Sequence, residues 1–406
     1  MSQLHTLPTT PAVHAPRVHV RRWGRFPGLL HFAAEYLLLL PVGAAVALVW
    51  ANMDPETYFR ITFDLDFFVT DVAMVLFFGL MMKEIVEATG RGGVLHPWRR
   101  AALPIVAALG VSIVPAWLLV ATASRFGEPL VARGWPAAFG TDIAFGYFAA
   151  MLIFGRHPVV PLFVLLGLAT NALGFAVLTP NATDSQLQPL TLVSLMAAAI
   201  ASAAILRWRN VRSVWPYLVV GGGLSWCALV FGGVHPALAL VPIVPFMPRG
   251  ASDPGFLVDA PPDAHDTLNE FERWCRPPAQ VALLLFGFVT AGVPLKALDW
   301  GTLSLPVAIL IGKPLGLAIG VGFARAFGLS LPHHVGWREL TVVALLLTIG
   351  FTMSLFFATV AVGPGPVLSE LKVGALWTIT GALLALGAAR MLGVGRFARH
   401  DVIRQP

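Results

Sequence analysis

Apolar residues in this chain come in long blocks rather than in alternation. Mainly apolar blocks of roughly 18–25 residues lie at about 30–51, 65–86, 101–123, 135–154, 158–179, 188–206, 214–233, 278–296, 302–324, 339–361 and 373–394. Each predicts a membrane-spanning helix, because a hydrocarbon slab of about 30 Å takes about 20 helical residues. A shorter block at 235–247 cannot cross alone and reads as a half-span. No block carries the alternation of a barrel strand. The expected fold class is an all-α membrane protein of about twelve transmembrane helices.

Two of the blocks are interrupted. In "AAFGTDIAFGYFAAML", Gly140, Thr141 and Asp142 break the apolar run with a small residue, a hydroxyl and a carboxylate, the signature of a helix start. In "LLLTIGFTMSLFFATV", Gly350, Thr352 and Ser354 do the same. Each half of the chain thus reads as span, interrupted span, span, at 101–179 and again at 302–394. This pattern predicts inverted repeats with two crossing broken helices, whose half-helix ends leave partial charges at the midplane. Broken backbone is tolerated at that depth only where it lines a cavity or is covered by protein.

Composition agrees with the blocks. Hydrophobic residues make up 57% of the 406, charged residues only 12%, and the mean hydropathy is +0.77, far from the quarter charged of a soluble domain. The polar, basic N-terminus carries no cleavage pattern, so the first block is expected to be a retained span. Three regions follow: a cytoplasmic tail at 1–28, one transmembrane domain at 29–394 and a second tail at 395–406. With the N-terminus in the cytoplasm, 21 of the 27 Lys and Arg fall on the cytoplasmic side, which supports an even number of spans with both termini inside. Five fall outside, namely Arg60, Arg125, Arg133, Lys296 and Lys372, and Lys313 remains within a span. Basic residues do not gather into a patch interleaved with aromatics, so no nucleic-acid partner is expected. Cys227 and Cys275 read as unbridged thiols, and no cofactor or tightly bound metal is implied. Neither a P-loop nor a dinucleotide fingerprint occurs, so any transport is driven by gradients. An intramembrane enzyme has no paired-Asp, Ser-Lys or His-Glu arrangement to work with.

The loop from Met247 to Pro277 carries six acids, including Glu272, and ends in "DTLNEFERW". It reads either as a solvated connector closed by a short amphipathic helix or as a charged cluster that responds to pH.

A few charges stay within the spans. Asp142 is either a cap for its half-helix or a functional carboxylate at the midplane. Asp71, in "FFVTDVAMVLFFGL", reads as lining a funnel or as a satisfied structural acid; His235, in "GGVHPALA", as interfacial or as a proton relay. Lys313 stands in "ILIGKPLG", where an ammonium costs at least about 2.5–3.5 kcal/mol. Its stem is too short to reach the interface, so its partner must lie inside the protein.

Seven stretches taken together resemble the NhaA family of sodium/proton antiporters: "ALVWAN", "TDVAMVLFFGL", "GWPAAFGTDIAF", "GGVHPALA", "FVTAGVPL", "ILIGKPLG" and "TIGFTMSLF". They run in family order along nearly the whole chain. The resemblance implies a twelve-helix inverted-repeat fold with a cytoplasmic funnel. It also implies exchange of sodium or lithium for protons across the bacterial inner membrane, in pH and sodium homeostasis. The expected partners are the cation, the proton and the lipid bilayer, with a homodimer left open as one option. Carried over by position, Asp142 is the carboxylate of the crossing, Thr141 its neighbour, Lys313 the midplane lysine and Asp71 the acid of span two. The sequence departs from the family at "LLGLATNALGFAV", where Asn171 and Ala172 stand in place of an adjacent Asp-Asp pair, and at Met81, where a glutamate is expected. The expected site therefore uses Asp142 to titrate and bind, with Thr141, Asn171 and broken-helix carbonyls as neutral ligands. The competing expectation is a descendant that has lost cation coupling and carries another solute or acts as a sensor.

Overall fold

In a computed structural model the structure describes residues 39–89, 102–155, 157–181, 188–249, 266–294, 300–329, 331 and 335–398. The tail at 1–28 and Asp253, Asp259 and Asp263 of the acidic loop lie outside the described residues, as does Lys296. The described residues form helices and no strand. Among the described residues, seven helical runs are long and apolar enough to cross a membrane, and an eighth is a pair bent by 47° at its break. The chain is a multi-helix membrane protein.

The α-helices longer than one turn are, in chain order, α1 (Leu39–Met53), α2 (Pro55–Asp66), α3 (Met74–Thr89), α4 (Ala102–Arg125), α5 (Ile143–Phe154), α6 (Val159–Asn181) and α7 (Pro189–Trp208). They continue with α8 (Gly223–Gly232), α9 (Thr267–Thr290), α10 (Trp300–Ala326), α11 (Trp337–Leu347), α12 (Phe351–Ala361), α13 (Pro366–Trp377) and α14 (Thr380–Leu392).

Two boundaries differ from the hydropathy reading. Span two begins at Pro55, not near 65, because Asp54 caps α2 by accepting from Thr57 N at 3.3 Å, with proline at the first helical position. The charges of "PETYFRITFDLD" hide a helix that turns Tyr58 and Thr62 inward. A π-helical segment, Phe67–Ala73, joins α2 to α3. Asp71 lies in this segment. At the other boundary, "DTLNEFERW" is the start of α9 itself, which runs on through Pro277 and Pro278. The block at 235–247 forms turns and two short 3-10 helices, Pro236–Leu238 and Val244–Phe246.

Close backbone contact fixes two helix pairs. A Cβ on Gly110 of α4 would fall 2.2 Å from Gly316 O, and one on Gly316 of α10 would fall 2.1 Å from Gly110 O. Without side chains between them, α4 and α10 pack backbone to backbone, the small-residue route to association where lipid removes the hydrophobic drive. α1 and α9 meet the same way, with Gly43 against Leu284 O and Gly287 against Leu40 O.

Both interruptions are present. The first runs from a 3-10 helix, Trp135–Phe139, through Gly140, Thr141 and Asp142 into α5. The second separates α11 from α12 at Thr348, Ile349 and Gly350. They cross, and Asp142 N donates to Ile349 O at 2.6 Å. Two apolar clusters meet there. Phe139 packs with Phe351, Phe356 and Phe357 in one, while Ile143 packs with Leu346, Leu347 and Ile349 in the other. The first half of one broken helix thus shares a core with the second half of the other.

Candidate functional site

At the crossing, four half-helix ends converge, and each pair of like ends faces a side chain of opposite sign. The first pair is N-terminal. Asp142 is the N-cap of α5, its Oδ1 accepting from Phe145 N at 3.0 Å. Its Oδ2 reaches the start of α12, accepting from Thr352 N at 3.3 Å and from the Thr352 hydroxyl. A capping Ser or Thr serves one helix end, whereas this carboxylate serves two. Each end carries roughly half a positive charge, so one carboxylate balances the pair.

The second pair is C-terminal, and Lys313 faces it. Its Nζ donates to Gly140 O, at the end of the 3-10 helix, and to Leu347 O, at the end of α11, 2.9 Å away. The third N–H goes to Thr141 Oγ1 at 2.9 Å. Lys313 is fully buried, and among the described residues it makes no ion pair. Two carbonyls and a hydroxyl take the three ammonium donors, and the two half-helix ends supply about one negative charge. The partner is the broken backbone itself.

Asn171, on α6, holds the first break in shape. Its Oδ1 accepts from Thr141 N at 2.9 Å, and its Nδ2 donates to Thr141 O at 2.8 Å. The N–H and C=O of Thr141, in two successive peptides at the break, are thus both satisfied by one carboxamide, which can donate and accept at once. Thr170 adds a contact to Thr141 Oγ1 at 3.1 Å. Gly140 is required by space: a Cβ there would meet Ser354 N at 2.4 Å. Gly350, the N-cap of α12, donates its N–H to Thr378 Oγ1 at 3.1 Å. Thr352 lies within α12 and not in the break.

Asp71 and His235 are apart from this cluster but face each other, with His235 Nε2 3.8 Å from Asp71 Oδ1. His235 Nδ1 accepts from Ala237 N at 3.3 Å, which leaves the ring proton on Nε2 toward the acid. Its ring meets Phe356 with centroids 5.3 Å apart. Phe356 follows Thr352 by one helical turn on the same face, so α12 links the two groups. Trp226 Nε1 donates to Asp71 O at 2.9 Å and pins the π-helical segment.

Glu272 belongs to a third group. Lys83 lies 2.5 Å from Glu87, 2.8 Å from Glu272 and 3.8 Å from Glu84, and Arg276 lies 3.3 Å from Glu272. The described acids at the loop's end are engaged rather than solvated: Asp266 caps α9 through Asn269 N at 2.8 Å, and Glu270 accepts from Val214 N at 3.2 Å. Sequence reading missed Lys83, Glu84 and Glu87, although "KEIVE" at a span end shows the i, i+4 pairing of Lys83 and Glu87. It also missed Thr170, Thr378 and Leu347 O, which act through positions with no charge to mark them.

A buried crossing of two broken helices, neutralised by one carboxylate and one ammonium, defines a secondary transporter of the broken-helix class. A family profile described as Na+/H+ antiporter 1 matches residues 30–391, and the chain belongs to that family. It is 37% identical over 377 residues to Na(+)/H(+) antiporter NhaA 1 of Pelobacter propionicus, covering 90% of this chain and 98% of the relative. It is 36% identical to NhaA of Geobacter sulfurreducens, again over 90% of this chain and 98% of the relative. Among solved structures, the sodium proton antiporter MjNhaP1 of Methanocaldococcus jannaschii aligns with a TM-score of 0.56 at 14% identity, covering 90% of this chain and 96% of that one. That likeness concerns the fold.

Proposed function

We propose that the chain is a secondary antiporter that exchanges a sodium or lithium ion for a proton across the bacterial inner membrane, in pH and sodium homeostasis. Both termini are cytoplasmic in this reading, which the distribution of basic residues supports. The carrying observation is Asp142, a 6% exposed carboxylate held between two helix starts. When a cation arrives, the carboxyl gives up its proton and a hard, oxygen-ligated ion takes the proton's place. The Thr352 hydroxyl, already on Oδ2, turns its lone pair to the ion and supplies a neutral ligand. Thr141 and Asn171 keep the backbone in the shape that aims Asp142, and Asp71 with His235 lines the route on the Phe356 side.

The test is proton movement in everted vesicles on adding sodium, lithium or potassium. Sodium or lithium should release the imposed pH gradient and potassium should not. A gradient untouched by every cation overturns the reading. Reporter fusions at the C-terminus and after Gln186 should mark opposite sides of the membrane.

A further inference from the structure

We propose that this exchange is electroneutral, one proton for one monovalent cation, because Lys313 is a fixed charge and Asp142 alone gives and takes a proton. The proposal rests on the antiport reading and adds its stoichiometry and the role of the lysine.

The geometry around Lys313 carries it. All three of its donors are accepted by oxygens of the broken helices, at Gly140 O, Thr141 Oγ1 and Leu347 O. A lysine paired with a carboxylate could be released when a cation captures that carboxylate, and it would then lose its proton. Lys313 has no such partner among the described residues, so an incoming cation has no carboxylate to take from it. Were Lys313 to lose its proton, the Thr141 hydroxyl would have to turn and donate to the lone pair, and two half-helix ends would lose their compensating charge.

Asn171 closes the other route to a second titrating acid. Its carboxamide meets both the N–H and the C=O of Thr141. An ionised carboxylate there would accept from the N–H but leave the carbonyl without a donor. The position is built for an amide, and neighbouring Ala172 has no polar side-chain atom.

The charge count then follows. With the cation bound, the crossing holds an ionised Asp142, one monovalent cation and a charged Lys313, which sum to plus one. With the proton bound, it holds a neutral Asp142 and a charged Lys313, again plus one. Each crossing in either direction moves the same charge, and a full cycle moves none. If Lys313 surrendered its proton as well, the cation would exchange for two protons and each cycle would carry one net charge.

Purified protein in proteoliposomes tests this with the membrane potential clamped by potassium and valinomycin. pH-driven sodium uptake should reach the same end point at zero and at about 100 mV. One net charge per cycle would shift that end point by roughly fifty-fold per 100 mV. Parallel recording of labelled sodium and internal pH should give one proton out per sodium in. A potential-dependent end point, or a ratio of two, overturns the stoichiometry while leaving antiport intact. No uptake at any potential overturns antiport and this proposal with it.

Discussion

Lys83 and Lys313 are both buried ammonium groups, and they share no type of partner. Lys83 is surrounded by the carboxylates of Glu84, Glu87 and Glu272. Among the described residues, Lys313 meets oxygens of backbone and hydroxyl. In the first case charges neutralise charges, and the group is as stable as its weakest-paired member. In the second, the ends of broken helices neutralise a charge, and these ends exist only because the helices are broken and crossed. Lys83 depends on which side chains are present, Lys313 on the path of the chain.

The sharpest way to break the contrast is at the acid of the crossing. Asp142→Asn keeps the shape and can still cap one helix start, but it cannot titrate. Exchange in everted vesicles should fall to background while expression in the membrane stays at the parental level. A variant that transports at the parental rate with the same pH profile would make Asp142 only a cap.

Lys83→Met removes the cation and leaves the buried Glu84 and Glu87 and the part-buried Glu272 facing the same space. Breaking a buried pair from one side costs about 3–5 kcal/mol, so the unfolding temperature in detergent should drop sharply. Adding Glu87→Gln should recover part of the loss. If it recovers none, the group is not coupled through Lys83.

At the crossing, shape should matter more than charge count. Gly140→Ala would push a methyl to within 2.4 Å of Ser354 N, whereas a Cβ at Gly350 meets the Ser354 hydroxyl at 2.3 Å. A side-chain oxygen can rotate away and a backbone nitrogen cannot. Overpacking costs of about 1–3 kcal/mol should therefore appear for Gly140→Ala and less for Gly350→Ala, read as unfolding temperature in detergent. Equal losses would show that the second break is as rigid as the first.

The smallest effect is expected for Arg276→Met. Glu272 keeps Lys83 at 2.8 Å when Arg276 is gone, so stability should change by no more than about 1 kcal/mol in the same measurement. A larger drop would give Arg276 a place among the central members of the group.

Much of this was legible in the chain, for identifiable reasons. Apolar blocks report helices in a bilayer because every backbone polar group there must bond within its own helix. Gly140-Thr141-Asp142 and Gly350-Phe351-Thr352 announce their breaks because a hydroxyl or a carboxylate is costly in such blocks and the glycine beside it loosens the backbone. The partner of Lys313 was not legible, since a carbonyl oxygen belongs to every residue and only the fold selects which ones point at the ammonium. The start of α2 was hidden by its own charges, and the unbroken course of α9 by Pro277 and Pro278. Asn171 was marked by the sequence as a change of residue, but the two-sided grip on Thr141 appears only when α6 is laid beside the break.

The glycine contact between α4 and α10 has a mechanical consequence. With Gly110 and Gly316 backbone to backbone, neither helix can slide past the other without driving carbonyl oxygens into Cα atoms. Lys313 rides on α10, so its position along the membrane normal is geared to α4. α1 and α9 form a second welded pair. Any movement that shifts Lys313 along the membrane normal must therefore carry α4 with α10 as one unit.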